Sequence, residues 1–341
     1  MLLGGYVLKH GIDFIITWVD DSDPAWQKER NKYMAESAQE DSRSVRFRDT
    51  DTLRYWFRAV EKYAPWVRRI FFVTWGHLPE WLDTSNRKLK IVNHKDFIPK
   101  EYLPTFSSHV IELNLHRIKG LSERFVYFND DTFIINPVRK KDFFRKGLPC
   151  DSAILSPAIM EDRYGIGNVE LNNMGIINTY FDKKSVISSN KMKWYNPRYE
   201  MKHLVKNLLL KPWNSFTSFY EFHVCTKFLK KTYEELWEKE YDSLNRTCLN
   251  RFRNLKEDNN QWLMRDWQLV SGSFVPSSTG FGKLHTLSNS SVISKIINDK
   301  KTKVVCLNDS DELTDREFAA LKSRMNKAFR RKLPDKSSFE I

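Results

Sequence analysis

Cysteine is scarce: Cys150, Cys225, Cys248 and Cys306 are the four in 341 residues, set far apart with no CxxC pair. That spacing excludes a zinc knuckle, offers no disulfide framework and fits a reducing cytoplasm. No stretch comes near the roughly 18 uninterrupted apolar residues of a membrane span. Met1 to His10 lack a basic end followed by an apolar block, so no cleaved secretion signal is expected. Walker-type, GxGxxG, GxSxG and HExxH motifs are missing. Their absence removes the P-loop ATPase, dinucleotide oxidoreductase, serine hydrolase and zinc-site readings. Nor is there a zinc finger, a glycine–aromatic RNA platform or a basic zipper, so nucleic acid is not an expected partner. Internal repeats and low-complexity linkers are absent too.

What the chain does have is aromatic and basic. Aromatic residues make up 14% and hydrophobic residues 41%, enough buried area to offset chain entropy and give a globular fold. Lys and Arg number 56 against 43 Asp and Glu, a net charge of +13 whose field attracts anions such as phosphorylated substrates or anionic lipid. Arg324 to Leu333 interleave basic and apolar residues, a pattern that suits an acidic membrane surface or a packed terminal helix alike.

The length suits one large or two modest domains. Ile12-Asp-Phe-Ile-Ile-Thr-Trp-Val19 is too short for a helix and reads as a buried strand. Leu53, Trp56, Phe57 and Val60 follow the i, i+3, i+4, i+7 spacing of an amphipathic helix that Pro65 stops. Strands are expected at 70–74, 89–93 and 125–128, with a helix across 107–117. Residues 153–159, 174–178 and 302–307 read as further strands, and a last helix runs through Phe318, Leu321 and Met325. Strands alternating with helices predict an α/β fold, a mostly parallel sheet covered by helices. Residues 183–270 are mostly helical in pattern, so the expectation is one catalytic α/β domain over 12–341 with a helical insertion at 183–270.

The sharpest local signal is Phe125-Val-Tyr-Phe-Asn-Asp-Asp131. A buried strand delivers Asn129, Asp130 and Asp131 to its carboxyl end, where ligands bind in open α/β sheets. Hard oxygen donors there suit Mg²⁺ or Mn²⁺, completed by substrate phosphate oxygens; an acidic turn is the plainer reading. Asp20 and Asp21 end the first strand at what should be the same edge. Arg46-Phe-Arg48-Asp49 precedes a helix N-terminus, and Arg251-Phe-Arg253 repeats the pattern; such forks bind phosphate oxygens bidentately, or pair with nearby carboxylates. Of eight histidines, His109, His116 and His223 draw interest, though a lone histidine is more often structural.

Together these segments resemble the Stealth family, the sugar-1-phosphate transferases of bacterial capsule synthesis, with relatives among the lysosomal-enzyme N-acetylglucosamine-1-phosphotransferases. The matching blocks are Ile12 to Asp20; Arg46-Phe-Arg-Asp49 through Tyr63-Ala-Pro-Trp-Val67, Leu103-Pro-Thr-Phe-Ser-Ser108, Leu115-His-Arg-Ile118 and Tyr127-Phe-Asn-Asp-Asp131; His223 with Arg251-Phe-Arg253 and Asn260-Gln-Trp262; and Val305-Cys-Leu-Asn-Asp-Ser-Asp311. Two departures stand out: Val224-Cys225-Thr226 follows His223 where relatives carry a His-x-Pro-like stretch, and Trp75-Gly76-His77 follows the second strand.

The resemblance implies a Rossmann-like or GT-A-like sheet and transfer of hexose- or hexosamine-1-phosphate from a UDP-sugar to a glycan or lipid-linked saccharide, releasing UMP. It implies metal binding by Asp130 and Asp131, possible help from Asp20, and diphosphate binding by Arg46, Arg48 and Arg253. Asp131 and Arg253 would act in catalysis with His223 as general base, while Asp49, Asn129, Asn173 and Arg251 would touch substrate. The expected place is the cytoplasm, at the inner face of the plasma membrane. The rival enzyme is a metal-dependent glycosyltransferase that releases UDP; the rival of another class is a non-catalytic glycan-binding protein.

Overall fold

The computed structural model describes residues 11–34, 48–160, 163, 165–287, 290–309 and 313–341. Its strands are β1 (Ile12–Thr17), β2 (Ile70–Thr74), β3 (Leu89–Asn93), β4 (Arg124–Phe128), β5 (Thr132–Ile134), β6 (Phe144–Arg145), β7 (Leu148–Asp151), β8 (Thr226–Leu229), β9 (Val275–Pro276), β10 (Gly282–Leu287) and β11 (Val304–Asp309). The central sheet has the order β3-β2-β1-β4-β8. Its first four strands are parallel and β8 closes the edge antiparallel to β4. A second sheet, β10-β11-β5, and a third, β6-β7-β9, stand beside it.

Side-chain alternation in the strands splits the core. Phe14, Ile16, Phe72, Val126 and Phe128 face one layer, built with the Leu53–Tyr63 and Asp315–Lys332 helices. Ile15, Phe71, Val73, Phe125 and Tyr127 face the other, where the Ser108–Asn114, Lys230–Lys239 and Gln261–Val270 helices pack. Both faces are covered, which is why these strands read as near-continuous apolar runs. The Leu53–Tyr63 helix forms because its apolar residues recur on one face. It buries Leu53, Tyr55, Trp56, Phe57, Ala59 and Val60, each large side chain worth about 1.5–3 kcal/mol.

Two expected strands are not strands. Residues 174–178 lie inside the Gly167–Tyr180 helix, whose buried Val169, Asn173, Ile176 and Ile177 follow a helical spacing that the β-branched pair obscures. Residues 153–159 make only an isolated bridge, Leu155 to Phe219, because side chains take their amides: Tyr199 Oη accepts from Ala153 N at 3.1 Å and Asn207 Oδ1 from Leu155 N at 2.6 Å. The helix expected over 107–117 divides into Ser108–Asn114 and a 3₁₀ turn, Leu115–Arg117. Residues 183–270 hold six helices, with β8 among them supplying the edge of the central sheet.

The C-terminal basic segment is a packed helix. Leu321, Met325, Ala328 and Phe329 point inward, and Phe329 lies 4.7 Å from Phe133 and 5.6 Å from Tyr55 between ring centroids. Beyond it Arg58 grips Glu340 through two bonds of 2.7 Å. No helix among the described residues is long and apolar enough to cross a membrane.

Candidate active site

Strand order decides where the cleft opens. From β1 the chain steps outward to β2 and β3, then returns to place β4 on the other side, so a crevice forms at the carboxyl ends of β1 and β4. The two strands pair in register, Ile12 with Arg124 through Ile16 with Phe128, and their following loops leave side by side. There lies a cleft of about 280 Å³ lined by Arg48, Asp49, Asn129, Asp130, Asp131, His223 and Arg253 among others.

Its acidic wall is short of positive charge. Asp130 is open to the cleft yet crowded at its base; that burial, with the charges of Asp131 and Asp49, pushes its carboxyl up to about 7. Asp49 is raised chiefly by burial, although its Oδ1 accepts the Asp51 N–H at 2.8 Å. Asp21 is raised too, by burial and then by Asp49 and Asp20. Asp131 is held by the second sheet: Thr132 Oγ1 donates to Oδ1 at 3.0 Å and the Cys306 thiol to Oδ2 at 3.1 Å, while its carbonyl accepts from Leu307 N at 2.9 Å. Among the described residues no three acidic, histidine or cysteine side chains stand close enough to ligate one ion. Asp130 and Asp131 are the carboxylates that could hold a dication whose shell is completed by phosphate oxygens, the habit of Mg²⁺.

The opposing cations are positioned from far along the chain. Arg48 lies with Nη2 3.4 Å from Asp315 Oδ1 and its guanidinium 5.1 Å over the Phe318 ring. Arg253 Nη2 donates to Ser108 Oγ at 2.6 Å. The loop carrying it is clasped by the buried Asp258, which accepts from Asn250 Nδ2 and Asn254 N at 2.9 Å each and lies 2.8 Å from His109 Nδ1. Phe252, fully buried, stacks on Phe106 at 5.2 Å, and Trp26 meets Phe106 edge-on at 5.9 Å, an aromatic wall within the cleft. His223 has a left-handed backbone, φ +49°, and its ring stands edge-on to Trp262 at 5.7 Å.

The remaining sequence candidates part company with the cleft. Asp20 does not line it: its Oδ1 accepts from Ser22 N and Oγ at 2.9 and 2.6 Å, a local turn. Arg251 turns away, donating to the Pro104 carbonyl at 2.9 Å and lying over Tyr33. Asn173 is buried in an amide chain, donating to Asn260 Oδ1 and accepting from Asn259 Nδ2 at 3.0 Å each. Arg46 lies outside the described residues. His116 packs on Tyr233 and Trp237, and burial pushes it down to about 3. The divergent Trp75-Gly76-His77 turn clamps the end of β1, His77 Nε2 accepting from Asp20 N at 2.8 Å.

Sequence reasoning missed Ser108, the Trp26–Phe106 wall and His94, a cleft residue pushed down to about 4 by burial. Phe106 and Ser108 sit inside the Leu103–Ser108 block; nothing in the sequence marks His94.

Residues 10–38 match the model of Stealth protein conserved region 1, and residues 46–150 that of Stealth protein conserved region 2. Over 334 residues the chain is 46% identical to the capsular polysaccharide phosphotransferase WcwK of Streptococcus pneumoniae, covering 96% of this chain and 98% of that one. The receptor polysaccharide phosphotransferase WefC of Streptococcus oralis is 41% identical over 335 residues, covering 97% and 99%. The exopolysaccharide phosphotransferase cps2G of Lactiplantibacillus plantarum is 40% identical over 330 residues, covering 96% of each.

Proposed function

The chain belongs to the Stealth family, and on that premise we propose that its cleft transfers hexose- or hexosamine-1-phosphate from a UDP-sugar to a hydroxyl of a growing capsular or exopolysaccharide glycan. One observation carries the reading: carboxylates from the ends of β4 and the 48–52 segment meet Arg48, Arg253 and His223 in a single cleft at the switch point of the sheet. That placement supports a Rossmann-like or GT-A-like use of the sheet.

The acceptor oxygen forms a bond to the β-phosphorus of the donor, the bond from that phosphorus to the bridging oxygen breaks, and UMP leaves. The anomeric carbon keeps its bonds and therefore its configuration. His223, in the lining of the cleft, takes the hydroxyl proton as general base. Arg48 and Arg253 neutralise the non-bridging oxygens, and Arg46, two residues before Arg48, is assigned to the same diphosphate. Asp130 and Asp131 would hold Mg²⁺ or Mn²⁺, which supplies further charge neutralisation when bound. Asn129 is placed for a donor hydroxyl, and the Trp26–Phe106 wall for the flat uracil. The acceptor is a glycan end or a lipid-linked saccharide met at the inner membrane face.

Incubation with a panel of UDP-sugars, Mg²⁺ and an acceptor glycan tests this. UMP and a phosphodiester product are expected, with turnover in Asp130→Asn down about a hundredfold or more. Release of UDP would transfer the chain to the glycosyltransferases; no turnover at all, with glycan binding that Asp130→Asn leaves unimpaired, would transfer it to the non-catalytic glycan binders.

A further inference from the structure

The Met201–Leu209 helix is turned inside out. At about 100° per residue, Met201, Val205, Leu208 and Leu209 share one face, and it is the outer one: each is between 44 and 73% exposed. The polar His203 and Asn207 occupy the inner face and are buried. The orientation is locked. Asn207 accepts from Leu155 N at 2.6 Å and donates to the Ala153 and Trp194 carbonyls at 2.9 and 2.8 Å, while His203 packs on Tyr220 and Phe222 at 5.1 and 5.8 Å. The helix cannot roll its apolar face inward without breaking all of these. Trp213 and Met192, more than half exposed, add to the outward apolar residues of the neighbouring segments, and such a concentration marks a surface that meets something apolar.

Charge says what that is. Residues 183–213 carry eight Lys and Arg and one acid, Glu200, a net +7 out of the chain's +13. Lys184, Lys191, Arg198, Lys202 and Lys211 are exposed. A symmetric pairing of two copies would set these cations against each other with almost no counter-charge. An anionic bilayer supplies both missing parts: headgroup phosphates for the cations and hydrocarbon for Met, Leu and Trp.

We propose that the outer face of the Met201–Leu209 helix, with Trp213 and the surrounding lysines, docks the protein on an anionic lipid surface. The C-terminal basic helix, whose apolar residues are spent on the core, is not the docking element. Tyr220 and Phe222, against which the docking helix is braced, lead directly to His223 in the cleft. Docking thus places a segment that leads to His223 directly behind the membrane-facing helix. The benefit to a lipid-borne acceptor rests on the proposed reaction; the docking itself does not.

Co-sedimentation of the full chain with phosphatidylcholine vesicles, with and without phosphatidylglycerol, decides the matter. Binding is expected to the anionic vesicles only and to weaken with salt. Leu208→Gln with Leu209→Gln should lower the partition coefficient about tenfold or more, Lys202→Glu with Lys211→Glu should abolish binding, and Arg330→Gln with Arg331→Gln should leave it intact. UMP release with a water-soluble acceptor should be the same in all three variants, which separates failed docking from a failed reaction or fold. No binding to anionic vesicles, or equal binding by the Leu208/Leu209 variant, overturns the proposal. So does a dimer in sedimentation velocity that the same substitutions dissolve.

Discussion

His223 is the residue on which geometry and chemistry press hardest. Its left-handed backbone costs on the order of 1–3 kcal/mol for a non-glycine residue, a strain that persists only where neighbours over-determine it. Val224, the next residue, packs into the space that Gly282 of β10 leaves: a Cβ there would stand 2.8 Å from its Cγ1. His223→Gln keeps the bulk and removes the base, so donor affinity should hold within about twofold while turnover falls about 10²–10⁴-fold. Affinity by titration with the UDP-sugar and single-turnover rates separate the two; near-normal turnover would remove His223 from the base role. At this scale the sequence was legible where function is local to a strand end, as in Asn129-Asp-Asp131. Arg48 and Arg253 are legible as phosphate-binding forks and His223 as one of three candidate histidines, but Asp20, Asn173 and Arg251 look equally fit. What separates them is which neighbour each side chain meets, and Asn259, Asn260 and Pro104 are distant in sequence from the residues they occupy.

Elements were readable wherever the apolar period or the length of the apolar run is unambiguous. The Leu53–Tyr63 helix and β1 to β4 follow from period and length, whereas residues 174–178 present Met-Gly-Ile-Ile-Asn, a β-like composition, within a helix fixed by packing on the Gln261–Val270 helix. Trp56 shows how much such packing carries: fully buried, it meets Phe57 and Phe128 edge-on at 5.1 and 5.4 Å. Trp56→Ala should cost about 3–5 kcal/mol, read as a lower urea midpoint with an unchanged slope. A loss below about 1 kcal/mol would mean that the Leu53–Tyr63 helix collapses onto the gap.

The whole molecule is tied by one buried ionic knot that no motif announced. Arg265, on the Gln261–Val270 helix, grips Asp151 at the end of β7 through bonds of 2.9 and 3.0 Å and Glu221 at 2.6 Å, with Asp266 Oδ1 3.6 Å away. One guanidinium cannot neutralise three buried carboxyls. Asp151 is lowered despite its burial because Arg265, then Lys227, favour its charge; Asp266 is raised by burial and by Glu221. The signs differ. Asp151 lends stability that is present above its ordinary value and lost as pH falls through its folded one. The protonated Asp266 lends stability that is full below its ordinary 3.8 and lost as pH rises through its folded value. Asp266→Asn should therefore match the parent near pH 4 and gain on it upward, by up to about 1.4 kcal/mol per pH unit while the proton is held. Denaturation at several pH values measures the gap; a gap that stays flat would mean that Asp266 is ionised in the fold. The span of the cleft has a consequence for synthesis. Its lining runs from Thr17 to Asn308, and a polypeptide leaves the ribosome amino end first. Until β11 emerges, the nascent chain has no clasp on Asp131 from Cys306 or Leu307, so a half-made chain has an incomplete cleft wall.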